Sequence, residues 1–175
     1  MTRTLTLIAT VAVTAGCTTA VNVQNDFDVR AAQAQMEAGN GSVAGTAFML
    51  KRNGDVVTCA GNEVYLVPAT DYAKERFSRM YPGMPTTTAT SLKHVDEIMF
   101  RRQVFFPDPP AYYLATKATI CDENGNFAFH DIKDGDYFVN TSVYWEDDIN
   151  HGGTMARRVI VENGVAPQVT LTPLL

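Results

Sequence analysis

The chain has 175 residues, 46% of them hydrophobic and 19% charged, and a formal net charge of −5. That is enough chain for one domain with a proper core, and it is too apolar and too weakly charged to remain disordered. The acidic balance, without a Lys/Arg cluster, argues against nucleic acid as a partner, and no apolar run reaches the roughly 18–20 residues of a transmembrane helix.

Arg3 and the α-amino group give a weakly positive start, and Leu5 to Val13 form an apolar stretch of signal-peptide length. It ends in Thr14-Ala15-Gly16-Cys17. This resembles the bacterial lipobox, in which small residues precede a cysteine that is diacylated and becomes the mature N-terminus. Thr14 stands where Leu or Val is usual. The resemblance implies a lipoprotein signal peptide at 1–16, lipid attachment at Cys17 and membrane attachment through acyl chains. Thr18, in place of Asp, resembles sorting to the outer membrane, so the expected location is the periplasm-facing side of that membrane. The alternative is an ordinary secretory signal with Cys17 as a bystander.

Residues 17–41 read as a tether, polar at Asn22, Gln24, Asn25 and Asp26, with Asp28 able to cap a short helix that stops at Gly39. From Val43 the pattern changes to short strands. Val43 to Leu50 is apolar and is stopped by Arg52-Asn53-Gly54-Asp55, a hairpin signal. Val56 to Cys59 returns, and Asn62 to Pro68 follows with Val64 and Leu66 on one face. Further on, Tyr112, Leu114, Ala118 and Ile120 read as one face of a strand ending at Cys121. Phe127 with Phe129, Tyr137 with Val139, Val143 and Trp145, then Met155 to Val161, and finally Val169 with Leu171 complete the set. Strands at this spacing predict an all-β, seven-stranded antiparallel sandwich over residues 42–175.

Residues 69–110 interrupt that rhythm as a partly helical insertion. Thr70 is a plausible cap for a helix through Met80, and Leu92, Val95 and Met99 permit a second short one. Phe105 to Pro110 is too rich in proline for a central strand. Long insertions in small domains are often functional.

Gly125-Asn126-Phe127-Ala128-Phe129-His130-Asp131-Ile132, continued by Gly135, Tyr137 and Val139, reads G-x-F-x-F-x-x-I-x-x-G-x-Y-x-V. This resembles the carboxypeptidase regulatory-like domain, a transthyretin-like (prealbumin-like) Greek-key sandwich, over roughly residues 42–68 and 111–172. The resemblance implies that fold and an accessory, non-enzymatic role; the matched residues are fold residues.

If the strands at 62–68 and 111–121 pair antiparallel, Cys59 and Cys121 lie at one end of the sandwich and the insertion at the other. With Cys17 acylated, those two cysteines are an even pair for an oxidising compartment. A disulfide is expected; two independent buried thiols are the alternative.

No catalytic constellation stands out. His94, His130 and His151 are scattered, and neither Asp131, Asp134 and Asp136 nor Glu146-Asp147-Asp148 has the spacing of a calcium loop. No cofactor or metal is expected. The candidate binding surface is the insertion, where Tyr72, Arg76, Arg79, Tyr81, Arg101, Arg102, Phe105, Phe106 and Tyr112 combine aromatics with arginine. The expected function is a non-catalytic, lipid-anchored interaction or scaffold module for an envelope protein. The alternative is a carbohydrate or peptidoglycan-binding module using the same aromatics of 69–113. A groove of exposed rings favours the sugar, a flat patch the protein. The opposing possibility is that the insertion folds onto the sandwich and buries these rings.

Overall fold

A computed structural model describes residues 18–81, 89–94, 103–146 and 150–173. In chain order the elements are β1 (Thr19–Asn22), α1 (Val29–Gln35), β2 (Ala38–Leu50), β3 (Val56–Thr58), β4 (Glu63–Pro68) and α2 (Asp71–Met80). Then come β5 (Ser91–His94), β6 (Gln103–Phe106), α3 (Pro110–Leu114), β7 (Lys117–Ile120) and β8 (Asn126–Ile132). The chain closes with β9 (Gly135–Glu146), β10 (Asn150–Val161) and β11 (Val169–Leu171).

Two sheets pack face to face. One is five-stranded and antiparallel, in the order β5-β10-β9-β4-β7. In the other, β2 is the spine, with β8 antiparallel along its first part, β3 antiparallel at its end and β11 parallel beside Gly45 to Ala47. Inward residues alternate along the strands as the pleat requires. Val43, Ala47 and Met49 from β2 meet Tyr137, Val139 and Val143 from β9 and Met155 and Val159 from β10.

The Phe127, Phe129, Ile132 spacing has a local cause. Between the Val43–Phe129 and Gly41–Ile132 pairs, β2 advances two residues and β8 three. The extra residue is a bulge, at which Asp131 takes φ 55° and Ile132 returns to the buried face. Before β8, the Asp122 carboxylate accepts the backbone N–H of Asn124 at 2.9 Å and of Asn126 at 2.8 Å. Gly125 closes that turn at φ +80°, and a Cβ there would lie 2.7 Å from Thr58 Cβ.

Glu63 pairs opposite Ile120. Just beyond them Cys59 and Cys121 are joined by a disulfide, with their Cα atoms 5.8 Å apart. β4 starts at the disulfide end and leaves at Pro68 into the insertion, so the two lie at opposite ends of that strand.

The β-sandwich is present, and four expectations need correction. The described residues hold eleven strands where seven were expected, and β1–β6 and β2–β11 pair parallel. The additional strands β1, β5 and β6 come from the presumed tether and insertion, where long connections allow a parallel return. Residues 18–41 are part of the fold: β1 pairs with β6, Asp28 caps α1, and Val23 and Ala32 are buried. β2 also begins at Ala38, so Gly39 stops nothing. Residues 110–114 form a helix instead of strand, because Pro110 in the first turn fixes a helical φ and needs no N–H partner; Ala118 and Ile120 on β7 are exposed. Leu92 lies on β5, paired with Met155, instead of on a second helix; Val95 and Met99 fall outside the described residues.

The outer face of the five-stranded sheet is also covered. Thr70 caps α2 by accepting the Ala73 N–H at 3.2 Å. Phe77 stacks on Phe138 of β9, with ring centres 4.2 Å apart. Around them Tyr72, Tyr81, Phe105 and Tyr112 form a second apolar core.

Candidate functional site

α2 presents Tyr72, Arg76 and Phe77 along one stripe, since residues four apart share a helix face. β6 and the turn after it bring Phe105 and Asp108, and α3 brings Tyr112 and Tyr113. Arg76, only 7% exposed, sits where the three meet. Its Nη1 donates to Asp108 Oδ1 at 2.6 Å and to the Tyr72 hydroxyl at 3.1 Å, and its Nη2 donates to the Tyr113 hydroxyl at 2.7 Å. The guanidinium lies over the Phe105 ring at 4.1 Å and over Tyr112 at 4.9 Å. Tyr113 in turn donates to the Asp108 carboxylate at 3.0 Å, and Tyr72 to the Pro107 carbonyl at 2.8 Å. A buried charge is tolerated only with this degree of pairing.

Burial pushes the Tyr112 hydroxyl well above the ordinary tyrosine range, and the Arg76 charge offsets that only in part. Burial likewise raises Tyr72 and Tyr113. At neutral pH these hydroxyls therefore stay protonated, available as both donors and acceptors.

Beside this cluster a groove of about 520 Å³ opens between α2, α3 and the outer face of β4 and β9. Val67, Phe77 and Met80 supply apolar surface, while Tyr65, Tyr113, Thr116 and Asn140 bring polar tips. Tyr113 is 52% exposed, its hydroxyl held from behind by Arg76 and Asp108. Tyr65 donates to the Glu63 carboxylate, and that bond is the main reason its hydroxyl pKa is raised. The groove thus combines a fixed, partly exposed ring with amide and hydroxyl groups, which is binding equipment; none of these side chains forms a nucleophile–base pair.

The expected surface is thereby corrected. Tyr72, Arg76, Phe105 and Tyr112 are brought together, but buried as the support of the groove. Tyr81 is buried farther along, its hydroxyl 3.0 Å from Thr154 Oγ1, and burial pushes its pKa up to about 12. Arg79 is exposed near the end of α2, with Glu75 at 3.7 Å, and Phe106 is exposed on β6. Cys17, Arg101 and Arg102 lie outside the described residues. The rings are buried because an amphipathic helix set against an apolar sheet face removes them from water.

Sequence reasoning passed over Asp108, Tyr65 and Asn140. Tyr65 and Asn140 alternate with the inward Val64, Leu66, Val139 and Thr141, a signal that puts them on the outer face; that α2 would wall them into a groove was not visible in it. Among the described residues no group of three or more His, Cys, Asp or Glu side chains is placed to hold a metal ion. Asp134 accepts the backbone N–H groups of Asn163 and Gly164, both at 2.8 Å, and Asp136 pairs with Arg158.

No family model matches the chain, and no curated protein matches it. Among solved structures, a Pseudomonas aeruginosa protein described as a putative carbohydrate binding protein is similar, with a TM-score of 0.65 and 23% identity. The match covers 85% of this chain and 98% of that one. The two chains share a fold. At this identity the likeness concerns architecture, and the site must be argued from the groove itself.

Proposed function

We propose that the chain is a non-catalytic, lipid-anchored module of the bacterial cell envelope that binds carbohydrate in the groove between α2, α3 and the β4–β9 face. The observation that carries this reading is Tyr113, an exposed ring fixed from behind by Arg76 and Asp108, beside the amide of Asn140 and the hydroxyl of Thr116. A sugar ring presents C–H groups to an aromatic face and hydroxyls to such polar neighbours. The description of the structural neighbour agrees with it. The protein-docking reading loses support, because most of its aromatic patch is buried. The resemblance to carboxypeptidase regulatory-like domains fits an accessory, non-enzymatic role.

The lipid anchor at Cys17 belongs to the same proposal. β1 begins at Thr19, so an acylated Cys17 would hold the folded domain directly against the membrane surface, with no long tether. In the outer membrane's inner leaflet the glycan within reach is peptidoglycan.

The test is retention of the protein on purified peptidoglycan and on a glycan array, comparing wild type with Tyr113→Ala. The expected result is saturable binding that Tyr113→Ala weakens at least ten-fold while the melting temperature changes little. Equal binding by both proteins, or none by wild type, would refute the groove. Anchoring is tested separately: radiolabelled palmitate should enter the wild type and not Cys17→Ser.

A further inference from the structure

A second cavity lies at the ends of β2, β5, β9 and β10, and nothing in the groove reading uses it. It measures about 420 Å³, and Lys51, Arg52, Asn53, His94, Trp145 and His151 are among its lining residues. Trp145, the single tryptophan of the chain, is partly buried. The His151 ring stacks on it with centres 5.9 Å apart and planes 27° apart. Lys51 Nζ lies 6.0 Å from the indole centre.

Separate parts of the fold converge to build this cavity. The turn after β2 carries Lys51 and Arg52 and is closed by the Lys51 N–H donating to the Asp55 carbonyl at 2.8 Å. The β9–β10 register sets His151 opposite Trp145, and the β5–β10 register sets His94 opposite Gly153. Gly152 at φ +105° lets the chain pass beside them, since a Cβ there would lie 2.0 Å from the Val143 carbonyl oxygen.

None of the described side chains lining the cavity is a carboxylate, whereas Lys51 and Arg52 are cations and the two imidazoles offer ring N–H groups. We infer that this cavity is a second saccharide site, selective for a sugar ring that bears an anionic group. The indole receives the C–H face of the ring, the cations take the anionic group, and the histidines hydrogen-bond hydroxyls. The site is separate from the groove. Asn140 and Trp145 lie five residues apart on β9 and on opposite faces of the sheet, roughly 16 Å along the strand. It stands on its own geometry, whichever ligand the groove takes. Glu146, Asp147 and Asp148 follow Trp145 in the chain, so the preferred charge of the sugar is the property to test.

With one tryptophan, intrinsic fluorescence reports on this cavity alone. The detergent-solubilised full chain is titrated with trigalacturonic acid, with maltotriose as the neutral counterpart and inorganic phosphate as the bare anion, at constant ionic strength. Trigalacturonic acid is expected to change the emission saturably, and the other two to leave it unchanged. Arg52→Gln, on an exposed turn, is expected to weaken that binding at least ten-fold with the unliganded emission and melting temperature preserved; Tyr113→Ala should leave it as in wild type. Saturation by maltotriose at equal or lower concentration would overturn the anionic class. Emission and calorimetric heat both unmoved by millimolar trigalacturonic acid would overturn the site.

Discussion

The Arg76 guanidinium and the Asp108 carboxylate meet at 2.6 Å across 32 residues of chain, the arginine side chain 8% exposed and the aspartate 37%. This pair ties α2 to the turn that leads into α3, and it fixes Tyr113 at the groove edge. Arg76→Met, which keeps the apolar stem, leaves Asp108 and the Tyr72 and Tyr113 hydroxyls without their donor. It should cost about 3 kcal/mol in urea denaturation, in the range for breaking a buried pair from one side. Asp108→Asn, at the wetter end, should cost about 1 kcal/mol. Losses below about 0.5 kcal/mol in both would show that the pair does not hold the groove wall.

Gly125→Ala combines two penalties, a positive φ and a Cβ placed against Thr58. About 2–3 kcal/mol of stability should be lost. Asn124→Ala, one position earlier on the exposed turn, should be nearly neutral, and thermal melts of the two variants give the comparison.

The Cys59–Cys121 disulfide closes a loop spanning 62 positions. In the chain-entropy description a bridge of that span contributes about 4 kcal/mol. Denaturant midpoints should therefore fall sharply on reduction, and the Cys59→Ser, Cys121→Ser double variant should be insensitive to reductant. A midpoint that reductant leaves unmoved in wild type would contradict this.

Glu75 accepts the backbone N–H of Asn25 at 3.0 Å and of Gln24 at 2.9 Å, and the Asn25 side chain at 2.8 Å. The Asn25 and Gln24 bonds hold its pKa below the usual carboxylate value. A depressed folded-state pKa stabilises the native state above the unfolded-state pKa, and that contribution is lost as pH falls through the lowered one. Acidification below about pH 4.3 should thus loosen residues 23–25 from α2. Hydrogen exchange of the Gln24 and Asn25 amides reads this directly; in Glu75→Gln their protection should be lower at pH 7 and flatter with pH.

Strand alternation and turn chemistry depend on neighbours a few positions away, and these were legible in the sequence. The Asn53-Gly54 hairpin, the Asp122 to Gly125 turn and the Thr70 cap of α2 all follow from local backbone needs, and the inward alternation on β2, β8 and β9 follows from the pleat. The spacing of Phe127, Phe129 and Ile132 was legible as a pattern, but its cause, a bulge at Asp131, appears only when β8 is set against β2. The Pro109-Pro110 pair was read as a strand breaker when it also starts a helix, so the apolar residues after it were given the wrong period.

What the tertiary structure alone decided is which aromatic residues remain reachable. Tyr72, Phe105, Tyr112 and Tyr113 have similar neighbours in the chain, yet the first three are buried and only Tyr113 is left at the groove edge. The difference arises because α2 lies across β9, setting Phe77 on Phe138, while α3 closes against it from residues more than 30 positions later. Tyr65 and Asn140 join the same groove from two strands of the sandwich. Composition shows that rings and arginines are plentiful in this stretch; the decision between core and site rests on long-range packing, because burial depends on which surfaces meet and not on which residues follow one another.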